Sequence, residues 1–179
     1  MSEPNPELIQ TIKQRLEIIE SNVTLAAEKS KRIASDVLIL AVSKRQPLSI
    51  IEAAYACGVR CFGENYAEEA DEKIKQLSHL TDIRWEMVGH VQSRKSALVA
   101  ADFSRVHSLD SLKLARRLDS ARANQESPQP LEVLLQLNVS GEASKEGLPA
   151  WEKDQWEDLL PIVSEILSLG YLRLTGLMT

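Results

Sequence analysis

Hydrophobic positions along the first part of the chain recur at three- and four-residue intervals. Ile9, Ile12, Leu16, Ile19 and Val23 share one face, and charged residues occupy the other. That spacing predicts a one-sided helix. Asn5 is placed to cap it, Pro6 to open it, and Glu7 to sit in its first turn. Beyond this helix the period changes. Residues 37–42 form a short, continuously apolar run, as expected of a strand buried on both faces. A helix follows, started by the capping box Ser49-x-x-Glu52 and stopped by Gly58.

The alternation then repeats. Strands are predicted at 59–62, 83–88, 105–109, 131–139 and 172–178. Helices separate them at 67–80, 95–101 and 112–123, with a last one ending near 169, where Gly170 stops it. The Gly- and Ser-containing loop 140–147 leads into that last helix. An initial helix and six strands, joined by five helical crossovers, describe an α/β fold with a parallel sheet. An open doubly wound sheet and a closed barrel both fit the pattern. The Gly-x-Gly-x-x-Gly turn of a dinucleotide-binding sheet is absent after the first strand. Pro128-Gln129-Pro130 reads as a turn before a strand, so residues 1–179 are expected to form a single domain.

Composition narrows the partners. A chain of 179 residues with 44% hydrophobic and 26% charged residues has the profile of a globular domain with a proper core. Its net charge is −5, both signs are interspersed, and no basic patch with aromatics stands out, so no nucleic-acid partner is expected. No apolar run is long enough for a bilayer, and the polar start lacks an export signal. The expectation is no membrane partner and a cytoplasmic location. Cys57 and Cys61, without a His pair at ligand spacing, suggest neither a disulfide nor a zinc site, only small buried apolar residues beside a turn.

In α/β folds the chemistry sits where strands end. Those positions carry Ser43-Lys44, Glu64-Asn65, Gly89-His90, Ser108 with Asp110, Asn138 with Ser140, and Met178-Thr179. Lys44, directly after an apolar strand, admits two readings. Its ammonium snorkels into solvent, or it is a desolvated amine able to form a Schiff base with an aldehyde. His90 and His107 read as hydrogen-bonded scaffolding, with no carboxylate partner identifiable. No Ser/His/Asp ordering, P-loop or metal-ligand pattern emerges.

Six segments occur in order: Ala41-Val-Ser-Lys-Arg-Gln-Pro47, Phe62-Gly-Glu-Asn-Tyr66, Gly89-His-Val-Gln-Ser-Arg-Lys95, Val106-His-Ser-Leu-Asp-Ser-Leu112, Asn138-Val-Ser-Gly-Glu-Ala-Ser-Lys145 and Gly176-Leu-Met-Thr179. Together they resemble the pyridoxal phosphate homeostasis family, which is similar to the barrel domain of alanine racemase. The resemblance implies a TIM-type (β/α) barrel of the alanine-racemase N-terminal kind, with six of its eight strands in this chain. It implies that Lys44 holds pyridoxal 5′-phosphate (PLP) as an internal aldimine, and that Asn65, Ser108, Asn138 and Met178 line the cofactor pocket. It also implies a carrier acting in vitamin B6 and amino-acid homeostasis, not an enzyme, with PLP-dependent enzymes as client partners and a monomeric complete form.

Two alternatives stand beside that reading: an amino-acid racemase or related PLP enzyme, and a truncated barrel that no longer holds the cofactor. For the first, Tyr66 is the only tyrosine near the mouth. For the second, the family continues past Thr179 with a Ser/Gly-rich phosphate-binding stretch and two further strands. The single PLP-binding domain is therefore expected to be incomplete at its C-terminal end and to bind PLP less tightly than a complete relative. Gln46 and Glu86 also depart from the family pattern, where lysine and histidine are often found.

Overall fold

The computed structural model describes residues 5–179. Residues 1–4, part of the polar start that argued against an export signal, lie outside them. Helix α1 (Pro6–Lys29) opens as its sequence dictates, with the Asn5 Oδ1 accepting the Glu7 N–H at 2.9 Å. There follow β1 (Ala41–Val42), α2 (Leu48–Ala56), β2 (Cys61–Glu64), α3 (Ala67–Gln76), β3 (Arg84–Met87) and α4 (Ser96–Asp102). The second half comprises β4 (Arg105–Leu109), α5 (Leu112–Ala123), β5 (Leu131–Asn138), β6 (Leu148–Pro149), α6 (Gln155–Ser168) and β7 (Leu172–Met178). No described helix is long and apolar enough to cross a membrane.

Strand order decides between the two architectures that the sequence left open. The strands are all parallel and run β1-β2-β3-β4-β5 in chain order, with β7 and the short β6 along the far side of β5. A doubly wound sheet reverses its order at a switch point and carries helices on both faces. Here the order never reverses, so crossovers of one hand stack the helices on one face, as in a (β/α) barrel. Phe62, Trp85, Met87, Val106, Val133 and Leu135 face those helices and pack with Ile51, Leu114, Leu118 and Ile166 into one core. Phe62 and Trp85, register partners on β2 and β3, bring their rings to 5.6 Å between centroids.

The other face is polar, and its register sets up alternating charges. Gly63, Glu86, Arg105, Glu132 and Arg173 are successive partners across β2, β3, β4, β5 and β7. Arg105 Nε donates to Glu132 Oε2 at 2.8 Å, and Arg173 donates to the other oxygen of the same carboxylate. Burial pushes the Glu132 carboxyl up, but hydrogen bonds from Arg105 and Arg173 outweigh it and hold the group below its ordinary value. Opposite charges placed directly across a ladder stabilise the register that pairs them.

Three local expectations are corrected. The first strand is only Ala41–Val42, not residues 37–42, because it has a neighbour on one side alone and that pairing is Ala41 with Phe62 and Val42 with Gly63. Val42 is 51% exposed, so it is not buried on both faces. Second, Ser49 does not cap α2. Pro47, extended at φ −69° and ψ 157°, precedes a helix that begins at Leu48, which leaves Ser49 inside the first turn. The stop is as expected: Gly58 takes φ +96°, its N–H bonds the Tyr55 carbonyl, and the Val59 N–H bonds that of Ala54. Third, Cys57 is only half-buried, its thiol donating to the Ile9 carbonyl at 3.4 Å, whereas Cys61 is buried and burial pushes its thiol up.

Candidate functional site

The turn after β1 carries Lys44. Ser43 turns inward and is buried, and the Gln46 N–H closes on the Ser43 carbonyl at 3.0 Å. Arg45 adopts a left-handed conformation at φ +58°. Lys44, between them, is exposed. Of its two readings, this geometry matches the amine in solvent and corrects the desolvated one: a two-residue edge strand offers no wall to bury it.

Beneath this turn lies a group of buried charges that sequence reasoning missed. The Lys73 ammonium, from α3, donates to Glu64 Oε1 at 2.8 Å, to Glu69 Oε1 at 2.7 Å and to the Ser43 carbonyl at 2.7 Å. The Ser43 hydroxyl donates to the same Glu64 oxygen at 2.7 Å, and the Arg45 N–H donates to Glu69 at 2.5 Å. Lys73 had a visible signal. It shares the inward stripe of α3 with Ala67 and Ala70, continued by Leu77 just past the helix end, where an unpaired ammonium is not stable.

The other expected residues reach the same edge of the sheet by different means. Asn65 follows β2 directly, and its side-chain Oδ1 is buried without a hydrogen-bond partner among the described residues. Ser108 is buried in β4 and donates its hydroxyl to the Gly89 carbonyl at 2.5 Å. Asn138 ends β5 and uses both ends of its amide to shape the loop that follows. Its Oδ1 accepts from the Ser140 and Gly141 N–H groups at 3.2 and 3.0 Å, and its Nδ2 donates to the Glu142 and Lys145 carbonyls at 2.9 and 3.3 Å. Met178 ends β7 as the register partner of Gln136. The five residues therefore share one carboxyl edge, with Ser108 and Asn138 already engaged within the protein.

A cavity of about 320 Å³ opens beside them, between the ends of β2 and β3 and the first turns of α3 and α4. Asn65, Tyr66, Gly89, His90, Gln92 and Lys95 are among its walls. Both histidines, His90 after β3 and His107 in the middle of β4, have carboxylate partners, contrary to the sequence expectation. His90 Nδ1 lies 3.0 Å from Asp110 Oδ2, and His107 Nε2 lies 2.6 Å from Glu86 Oε2. Glu86, fully buried, also meets Arg84 at 3.2 Å. His90, Asp110 and Glu146 bring ligand atoms within 4.8 Å of one another from three separate loops, a convergence that no sequence spacing displays.

This edge can be compared with known proteins. The family model of the alanine racemase N-terminal domain matches residues 15–179. The pyridoxal phosphate homeostasis protein of Pasteurella multocida is 39% identical over 169 residues, covering 94% of this chain and 69% of that protein. The chain belongs to the pyridoxal phosphate homeostasis family. The chain is also similar to PipY of Synechococcus elongatus, solved without PLP (31% identity, TM-score 0.73) and with PLP bound (32%, TM-score 0.69). The chain overlays 87% of its own length on 69% and 68% of those two structures. Alanine racemase from Streptomyces coelicolor, at 19% identity and TM-score 0.60, shares the fold, over 90% of this chain and 41% of that one. The architecture is thus the partial TIM-type barrel of the alanine-racemase N-terminal kind.

Proposed function

We propose that this chain is a cytoplasmic PLP-binding domain acting in vitamin B6 and amino-acid homeostasis, with Lys44 as the amine that holds the cofactor. PLP supplies an aldehyde that condenses with a primary amine, releasing water, and an electron-withdrawing ring. The observation that carries the reading is Lys44 itself: an exposed amine on a fixed turn at the working edge of a parallel barrel sheet. The fit extends to Asn65, whose buried Oδ1 has no donor among the described residues and suits a hydroxyl-bearing ring. Relatives named for PLP homeostasis, and PipY with PLP bound, support the same ligand.

Mixing the purified chain with PLP should give a visible absorbance band, and borohydride reduction followed by peptide mapping should place the adduct on Lys44. Lys44→Ala should abolish both. A reduced adduct at full stoichiometry in that variant would refute the assignment.

The reading is a carrier rather than a catalyst, in line with relatives named for PLP homeostasis; of the tyrosines, only Tyr66 lies near this edge. The Tyr66 hydroxyl accepts from Arg45 Nη2 at 3.2 Å, and that guanidinium stacks 5.6 Å from the ring. The Tyr55 hydroxyl donates to Asp82 at 2.5 Å, and Tyr171 precedes β7 at the opposite edge. With PLP present, racemisation of either alanine enantiomer is therefore expected to stay far below about 1 per second, an ordinary enzyme rate. Turnover at or above that rate, lost in Lys44→Ala, would establish the racemase reading instead.

A further inference from the structure

The peptide groups on both sides of Lys44 are held from the same helix. Ser43 presents its carbonyl to Lys73 at 2.7 Å, and Arg45 presents its N–H to Glu69 at 2.5 Å. Lys73 and Glu69, one turn apart on α3, are themselves paired at 2.7 Å. Glu64 completes the group by gripping Lys73 and the Ser43 hydroxyl from β2. Arg45 sits in a left-handed conformation that side chains other than glycine and asparagine seldom adopt, so it requires an outside partner to persist. Glu69 supplies it.

We propose that Glu69 and Lys73 are positioning residues for Lys44, a charged clamp on α3 that fixes the direction in which the lysine leaves the turn. The inference rests on the role of Lys44 proposed above. An amine on a freely rotating turn samples many directions, and one on a clamped turn spends more time where a bound aldehyde lies. The charge state favours the clamp. Burial pushes the Glu69 carboxyl up, but hydrogen bonds from Lys73 and the Arg45 amide outweigh it and hold it below its ordinary value. The Arg45 N–H thus meets an ionised acceptor, which makes the stronger kind of hydrogen bond.

The test uses the full chain and three variants: Glu69→Ala, which removes the acceptor; Glu69→Gln, which keeps an oxygen there; and Glu72→Ala, an equal charge change at an exposed position of the same helix. PLP is the probe. The rate of adduct formation at Lys44 is followed by borohydride quenching and peptide mapping, and amide hydrogen exchange is measured without PLP. Glu69→Ala should exchange the Arg45 amide faster while the α5 amides stay unchanged, and should form the Lys44 adduct about tenfold more slowly. Glu69→Gln should recover most of both effects, and Glu72→Ala should behave as the unsubstituted chain. Equal adduct rates in Glu69→Ala and the unsubstituted chain overturn this inference alone. So does a Glu69→Ala variant whose α5 amides accelerate as much as Arg45, because the effect is then global. No Lys44 adduct in the unsubstituted chain overturns the proposed function, and this inference with it.

Discussion

Replacing Lys73 with methionine is expected to lower the unfolding free energy by about 3–5 kcal/mol, a large part of what a domain this size possesses. Lys73 is 6% exposed and Glu64 is fully buried, so neither charge has water to fall back on. Removing the ammonium leaves Glu64 with only the Ser43 hydroxyl, and its second oxygen already has no partner among the described residues. The Ser43 carbonyl loses one of its two donors in the same step and keeps only the Gln46 N–H. Urea unfolding should show a lower midpoint at unchanged slope, and the melting temperature should fall by on the order of 10 °C. The double variant Lys73→Met with Glu64→Leu should regain at least about 2 kcal/mol of that loss, since an apolar pair of similar volume carries no stranded charge. A single-variant cost below about 1 kcal/mol, or a double variant worse than the sum of its singles, would mean that these charges are better solvated than their burial indicates.

The same group shows where the sequence could be read and where it could not. Helix α5 and strands β4 and β7 lie where periodicity and turn signals put them, because each element's own pattern determines its limits: Ser111 caps α5, accepting the Leu114 N–H, whereas α6 stops at Ser168 with Leu169 already extended, ahead of the expected stop at Gly170. Strand β1 failed the same reading. Residues 37–40 are as apolar as any strand, but a ladder needs a neighbour, and the first residue with one is Ala41. Site residues divided likewise. Lys44, Asn65, Ser108, Asn138 and Met178 were legible as strand-end positions, and they do share one edge. Their hydrogen bonds were not legible, since Asn138 spends its amide on a loop whose path depends on Gly141 and Gly147 at φ +70° and +117°. The Glu86–His107 pair joins residues on β3 and β4 and depends on the register that sets Glu86 opposite Arg105 and Met87 opposite Val106. A shift by one residue exchanges the two faces of a strand, so pairings of this kind become visible only once the register is known.

Gly89→Ala is expected to destabilise the chain by about 3 kcal/mol and to disturb the site in the same stroke. The reason is contact, not backbone freedom. A Cβ at this position would lie 2.3 Å from the Asn65 carbonyl oxygen, 2.6 Å from its Cα and 2.8 Å from its carbonyl carbon. All three are backbone atoms, so no side chain can rotate away. Either the end of β3 moves or Asn65 does, and both are tied. The Val88 and Gly89 N–H groups reach the Glu64 carbonyl at 2.9 and 3.3 Å, and the Gly89 carbonyl accepts from Ser108. Moving Asn65 carries its Oδ1 with it and shifts the wall of the adjoining cavity. The loss should therefore appear twice: as a melting temperature lowered by on the order of 10 °C, and as weaker PLP retention measured well below the new melting temperature. Cooling the variant until it is fully folded separates the two effects, because a purely global loss would restore PLP binding there. An alanine variant that melts with the unsubstituted chain would show that β2 and β3 are free to part at their carboxyl ends, and the fixed edge argued for Lys44 and Asn65 would fail with it.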